Sequence, residues 1–259
     1  LIRRSRSVEE AKSGLGDRLD EFARNTIEFL EKEKALLTEG VGLPESRVTF
    51  KHRPALVVVR GYDFKEDLDA LRPYIREERP VLIGVDGGAD AISEAGFIPD
   101  VIVGDMDSVS DDVLRSGAEL IVHAYPDGRC PGMERLTGLG LTGTPWPLAA
   151  TSEDLALLLA FEGGADLIVA VGTHANLVEY LDKGRKGMAS TFLVRLKVGP
   201  RLVDAKGVNK LWKASVTSGQ LLLLVSAAMV TITTVVLVSS RARTFIELIT
   251  LKIRALLGM

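Results

Sequence analysis

Gly84-Val85-Asp86-Gly87-Gly88-Ala89-Asp90 and Pro99-Asp100-Val101-Ile102-Val103-Gly104-Asp105-Met106-Asp107-Ser108 are the stretches that decide the fold. Each acidic turn ends a short β-rich apolar run, Val81 to Val85 in the first and Val101 to Val103 in the second. A parallel strand ends where such a run meets Asp and Gly, and open α/β sheets bind ligands beyond the carboxyl ends of their strands. Asp86, Asp105 and Asp107 are therefore expected to converge on one mouth as metal ligands. Hard oxygen ligands of this kind suit Mg²⁺ carrying a nucleotide's phosphates. Gly87 and Gly88 let backbone approach a phosphate closely, and Ser108 closes the second motif. Taken singly, each turn also reads as plain turn chemistry.

Outward from these turns, strands and helices alternate. Ala55 to Val59 is a strand candidate, Phe64 to Glu78 a helix with Asp63 as its cap, and Asp90 to Ala95 a short helix. Asp111 to Ser116 starts another helix, Glu119 to His123 reads as strand, Ser152 to Glu162 as helix and Leu167 to Val171 as strand. Phe192 to Lys197 and Arg201 to Asp204 read as a terminal β pair around Gly199-Pro200. The expectation is an α/β fold with a doubly wound, mostly parallel sheet. Asp17 to Leu37 reads as a charged amphipathic helix packing on this domain, with an arm from a missing upstream domain as the alternative.

Composition narrows the class. The 259 residues hold one sizeable α/β domain plus attachments. A net charge of −3 and a pI near 5.8 give no electrostatic case for nucleic acid. Cys130 is the single cysteine, so no intrachain disulfide forms. His52 and His123 lack metal-ligand spacing, which argues against zinc. The chain opens at Leu1 rather than Met and is read as a piece of something longer.

Leu221 to Val238 is an uncharged apolar run broken only by Ser226, Thr231, Thr233 and Thr234. With its edges, 218–240, it is expected to form a transmembrane helix. The division that follows is a helical lead at 1–50, an α/β domain at 51–207, a linker at 208–217, the span, and an amphipathic tail at 241–259. Basic residues flank the span on both sides, so charge bias sets no orientation. A phosphate-type site and the lack of a signal peptide favour a single-pass cell-membrane protein with a cytoplasmic α/β domain.

The Asp86 to Ala89 turn and the Pro99 to Ser108 segment resemble the catalytic domain of thiamine pyrophosphokinases. In that family the aspartates hold Mg-ATP, and diphosphate passes to the hydroxyl of thiamine. The similarity continues into Thr151-Ser152-Glu153-Asp154, which implies that Thr151, Ser152 and Glu153 lie at the phosphates. Two family carboxylates are missing there, their places taken by Ala149 and Ser152. A basic, histidine-containing family motif is also replaced, by Gly172-Thr173-His174-Ala175-Asn176-Leu177. Little room remains for the family's thiamine-binding domain.

Further segments resemble the SteA cytokinetic-ring proteins. They include Val58-Val59-Arg60-Gly61-Tyr62-Asp63, His123-Ala124-Tyr125-Pro126-Asp127-Gly128-Arg129 and Leu181-Asp182-Lys183-Gly184-Arg185. That resemblance implies a pyrophosphokinase-like domain joined to a membrane helix, acting in daughter-cell separation with a membrane partner of the SteB kind. Lys183 and Arg185 are candidate phosphate clamps in a glycine-punctuated turn, with a solvated turn as the alternative. His174 is a candidate base or phosphate contact, and Asp127 with Arg129 a candidate lid. Regulatory binding of a nucleotide or small phosphorylated ligand is the leading expectation. An active ATP-dependent diphosphokinase with thiamine or another hydroxyl acceptor is the alternative, and a scaffold with a vestigial pocket a third. No catalytic residue is assigned, and homo-oligomerisation stays open.

Overall fold

The structure is a computed structural model that describes residues 2–173, 180, 187–211, 218–239, 241, 244 and 252. The chain divides into two units, Leu1–Trp212 and Lys213–Met259.

The first unit is built on seven strands: β1 Ala55–Val58, β2 Val81–Val85, β3 Val101–Gly104, β4 Glu119–Ala124, β5 Thr144–Pro147, β6 Ile168–Val171 and β7 Leu202–Asp204. They form one sheet in the order β5-β4-β3-β2-β1-β6-β7. Every pairing is parallel. The mostly parallel sheet read from the sequence is thus wholly parallel. β1, β2, β3 and β6 are buried along their whole length, as strands covered by helices on both faces must be.

Side-chain alternation splits the core into layers. Val57, Ile83, Val103 and Ile121 point to one face, against α8 (Ser152–Glu162) and α9 (Gly187–Val198). Leu56, Val58, Leu82 and Val169 point to the other, against α3 (Phe64–Ala70), α4 (Arg72–Glu78) and α10 (Ala205–Leu211). On that face Ile102 and Val122 meet α5 (Gly88–Glu94), α6 (Asp111–Leu114) and α7 (Pro131–Gly138). Glu153 to Ala160 of α8 are all buried, because this helix lies between the sheet and α9.

The expected lead helix is α1 (Ile2–Lys32) followed by α2 (Lys34–Thr38). It packs on its own unit. Phe22 meets Phe192 edge-on at 5.6 Å, and Lys197 Nζ donates to the Leu36 carbonyl at 2.8 Å.

Several expectations are corrected. Phe64 to Glu78 is two helices that part at Leu71, with Pro73 in the first turn of α4, where its missing N–H costs no helical bond. Asp63 makes no side-chain cap bond and instead accepts from Lys206 Nζ at 2.8 Å. The terminal β pair does not form. Phe192 to Lys197 lies inside α9, and Leu202–Asp204 pairs with β6. The β-branched composition of 191–198 suggests strand, but burial recurs at Ser190, Thr191, Val194 and Val198, a helical period.

In the second unit, Ser218–Val238 is helix α11. The single-pass cell-membrane placement is corrected: among the described residues, no helix is long and apolar enough to cross a membrane. Apart from 241, 244 and 252, the tail at 241–259 lies outside the described residues.

Candidate functional site

Strand order reverses between β1 and β6, where an open α/β sheet would offer a crevice. The described backbone closes that point. Val59 N–H donates to the Val171 carbonyl at 2.9 Å, and Gly61 packs directly on Gly172. The open space lies further along the same edge, beyond β3 and β4.

There the two acidic turns interlock. Gly87 N–H donates to Ser108 Oγ at 3.1 Å, and Met106 N–H to Asp86 Oδ1 at 3.3 Å. Asp86 and Met106 both adopt left-handed backbone, at φ 47° and 67°. Non-glycine residues held so are sparse and cluster at functional sites. Gly104, at φ 148°, is needed beside them, because a Cβ there would strike the Asp86 carboxylate. Behind the turns, the buried Asp90 accepts from Ser110 N–H and Oγ and joins the two loops a second time.

The three expected metal-ligand carboxylates lie together. Asp107 N–H donates to Asp105 Oδ1 at 3.4 Å, and the Asp105 carboxylate stands close enough to Asp86 and Asp107 to act on both. Burial first, and the charge of Asp105 second, push Asp86 up to about 7. The bond to Asp105, then its charge, also raises the exposed Asp107. Among the described residues, no group of three or more His, Cys, Asp or Glu side chains is arranged to hold a metal ion, so the cluster is not a closed cage. Mg²⁺ needs none: it takes one or two carboxylates, keeps several waters and completes its shell with substrate phosphates. The paired Asp86 and Asp105 oxygens fit that role, since a cation would relieve the repulsion that raises Asp86.

α8 brings hydroxyls to the same place. Thr151 caps this helix, its Oγ accepting from Asp154 N–H at 3.2 Å while Asp154 Oδ2 accepts from Thr151 N–H at 2.9 Å. The Ser152 hydroxyl stands beside Asp86 and partly offsets the rise in its pKa. A cavity of about 520 Å³ opens here, lined by Asp105, Asp107, His123, Arg135, Thr151 and Ser152 among others.

Glu153 is not brought in. It faces Arg195 at 3.7 Å, and Arg195 also donates to Thr173 Oγ1 at 3.0 Å. Asp154 is sequestered, with Ser190 Oγ donating to its Oδ2 at 2.6 Å, and burial raises it to about 6. Gly88 is buried in α5, and the Gly87 amide is spent on Ser108. His174, Lys183 and Arg185 lie outside the described residues. Asp127 and Arg129 bond each other at 2.7 Å, with the guanidinium 4.9 Å from the centre of the Tyr125 ring.

Arg135 is the residue that sequence reasoning missed. From α7 it donates to the carbonyls of Met106 and Val109, the latter at 2.7 Å, and pairs with Asp111 at 2.7 Å. It thereby holds the second acidic turn from one side and sets a positive charge beside the carboxylates. Pro131 at the start of a helix, followed by Glu134 and Arg135, is the signal that locates it.

Two comparisons bear on this geometry. Residues 73–127, which include all three clustered aspartates, match the thiamin pyrophosphokinase catalytic domain. Residues 206–257 match the SteA-like C-terminal domain. Both families implied by the resemblance are therefore found. The chain is also similar to a 6-hydroxymethyl-7,8-dihydropterin pyrophosphokinase of Methanothermobacter thermautotrophicus, 27% identical over 174 residues, 61% of this chain and 71% of that protein. The first unit is accordingly a pyrophosphokinase-like α/β fold.

Proposed function

We propose that the cavity beyond β3 and β4 binds the polyphosphate of a Mg²⁺-nucleotide, ATP being the reference ligand. The observation that carries this reading is the interlock of the two acidic turns, which sets Asp105 and Asp107 in the wall of a cavity of about 520 Å³ with Asp86 beside them, where burial first and the Asp105 charge second raise Asp86 to about 7. When bound, the ion would neutralise carboxylate and phosphate charge. Asp86 and Asp105 present oxygens to it, Arg135 offers its guanidinium to phosphate oxygens, and the Thr151 and Ser152 hydroxyls donate from the start of α8. Calorimetry of the full chain should show Mg-ATP binding that Asp105→Asn weakens at least about tenfold, the range of one charge-assisted contact. Equal affinity in the two proteins, or none in either, would remove the site.

Regulation is the use proposed for this binding. The similarity to a dihydropterin pyrophosphokinase supports a second reading, transfer of diphosphate to a hydroxyl. Transfer needs the attacking hydroxyl held in line with the phosphates. Ser152 stands where the thiamine enzymes carry a carboxylate, so ATP and thiamine are expected to give no thiamine diphosphate. Its appearance by chromatography, lost in Asp107→Asn, would overturn the regulatory reading. A role in daughter-cell separation with a SteB-like partner is proposed on the resemblance, supported by the SteA-like match at 206–257.

A further inference from the structure

Diphosphate transfer requires an acceptor hydroxyl, and the cavity of about 520 Å³ carries hydroxyls in its own wall. Three described side chains bring one to that lining: Tyr125, Thr151 and Ser152. Thr151 Oγ is spent at the start of α8, where it accepts from Asp154 N–H at 3.2 Å and meets Thr191 Oγ1 at 3.3 Å. Tyr125 is half exposed, with the Arg129 guanidinium 4.9 Å from its ring centre. Ser152 has neither commitment. It is the first residue of α8, half-buried, and its hydroxyl stands beside Asp86. The capping box between Thr151 and Asp154 fixes the backbone that carries it. Glu153, the next residue, is turned away toward Arg195 and does not crowd it.

We propose that Ser152 Oγ is itself the acceptor, so that the cavity transfers diphosphate from a Mg²⁺-nucleoside triphosphate to its own wall. The proposal rests on the polyphosphate reading above and joins its two uses, since transfer to the protein is a regulatory modification. In the step, Ser152 Oγ bonds to the central (β) phosphorus. The bond from that phosphorus to the α,β-bridging oxygen breaks, and the nucleoside monophosphate leaves with that oxygen and the electron pair. The hydroxyl proton passes to solvent beside the exposed Asp107. Phosphoryl transfer relies on positioning and charge through a loose transition state, so no strong base is required. Arg135 and the start of α8 set positive charge near the transferring oxygens. Once formed, the diphosphoserine fills the cavity and sits at a helix N-terminus, where added phosphate is favoured. A second nucleotide is then excluded. The new charge also faces Asp86 and Asp105, so the modified chain depends on Mg²⁺ for stability.

Phosphatase-treated full chain, freed of the phosphatase, is incubated with Mg-ATP. Peptide mass spectrometry reads the modification, and chromatography the nucleotide products. The peptide holding Ser152 should gain a diphosphoryl group and AMP should appear in equal amount, at a rate constant unchanged by dilution of the protein. Ser152→Ala removes the gain, and Ser152→Thr, which keeps a hydroxyl, retains it. Asp105→Asn slows it about a hundredfold or more, the range for losing one group that stabilises transition-state charge. The modified chain binds Mg-tripolyphosphate at least about tenfold more weakly than the unmodified one, and chelating Mg²⁺ lowers its melting temperature further. Thermal melts identify any variant that misfolds, and wild type alone still decides. Wild type that binds Mg-ATP by calorimetry yet gains no group, or gains it on another hydroxyl, overturns the proposal and leaves the polyphosphate reading in place. Modification of Ser152 that is undiminished in Asp105→Asn is the work of a foreign kinase and overturns it too. Wild type that binds neither Mg-ATP nor Mg-tripolyphosphate overturns both.

Discussion

Asp86→Asn is expected to raise the stability of the protein at pH 8 while weakening Mg-nucleotide binding at least tenfold. Burial and the neighbouring Asp105 raise Asp86 from 3.8 to about 7, so between those values the folded protein holds a proton that the unfolded chain has released. Stability therefore falls as pH rises through this window and reaches its low plateau above about pH 7. Asparagine keeps an oxygen for Met106 N–H and for Ser152, and carries no charge to bury. The gap between variant and wild type should be on the order of 1–3 kcal/mol at pH 8 and vanish below pH 4, where the aspartate is neutral in both states. Saturating Mg²⁺ should narrow the gap by stabilising wild type more than the variant. Urea melts at pH 4, 6 and 8, with and without the ion, measure all of this. A gap that does not change with pH would show that Asp86 is not destabilised by its surroundings, and the electrostatic argument for a cation would fall with it.

The legible parts of the sequence are those where local pattern and tertiary environment agree. β1, β2, β3, β4 and β6 are short apolar runs bounded by Gly, Pro or Asp, and all five are read within about two residues of their ends. Asp86, Asp105 and Asp107 are legible because a parallel strand places whatever follows it at the ligand edge. The illegible parts depend on partners far along the chain. α9 carries strand-like residues, and only packing on α1 and α8 makes it a helix. β5 contains Pro145 and Pro147, which read as loop, and it is tolerated because it is the edge strand. Arg135 became visible only once α7 was placed beside the second acidic turn. The failure of Glu153 to reach the site has a local cause: α8 begins at Ser152, and one residue further the helix has turned by about 100° toward Arg195. Hydropathy alone marks α11 but does not say what covers it. Its described side chains are largely exposed within their own unit, with Leu222 at 72% and Val238 at 83%.

Gly172→Ala is expected to destabilise the fold strongly, although the residue bears no functional group. Gly172 follows β6 with φ 65°, a left-handed conformation that costs a side-chain-bearing residue roughly 1–2 kcal/mol. A Cβ there would also fall well inside 3.0 Å of the Val59 carbonyl, and inside it for Gly61 N and the Phe64 Cβ. Two of these three atoms are backbone at the end of β1 and cannot swing aside as a side-chain tip does. Relief would require the loops after β1 and β6 to separate, which breaks the Val59 to Val171 hydrogen bond and opens the centre of the sheet. Strain and overpacking together come to about 4 kcal/mol, a large share of the 5–15 kcal/mol that holds a typical domain. Gly16→Ala is the matched control. It sits inside α1 with nothing within 4 Å of the added Cβ, and should stabilise by about 0.5–1 kcal/mol through helix propensity. Soluble yield and denaturant midpoints of the two variants measure the contrast. If Gly172→Ala unfolds within about 1 kcal/mol of wild type, the loops at the reversal of strand order are not closed on each other, and a ligand crevice at that point returns to consideration.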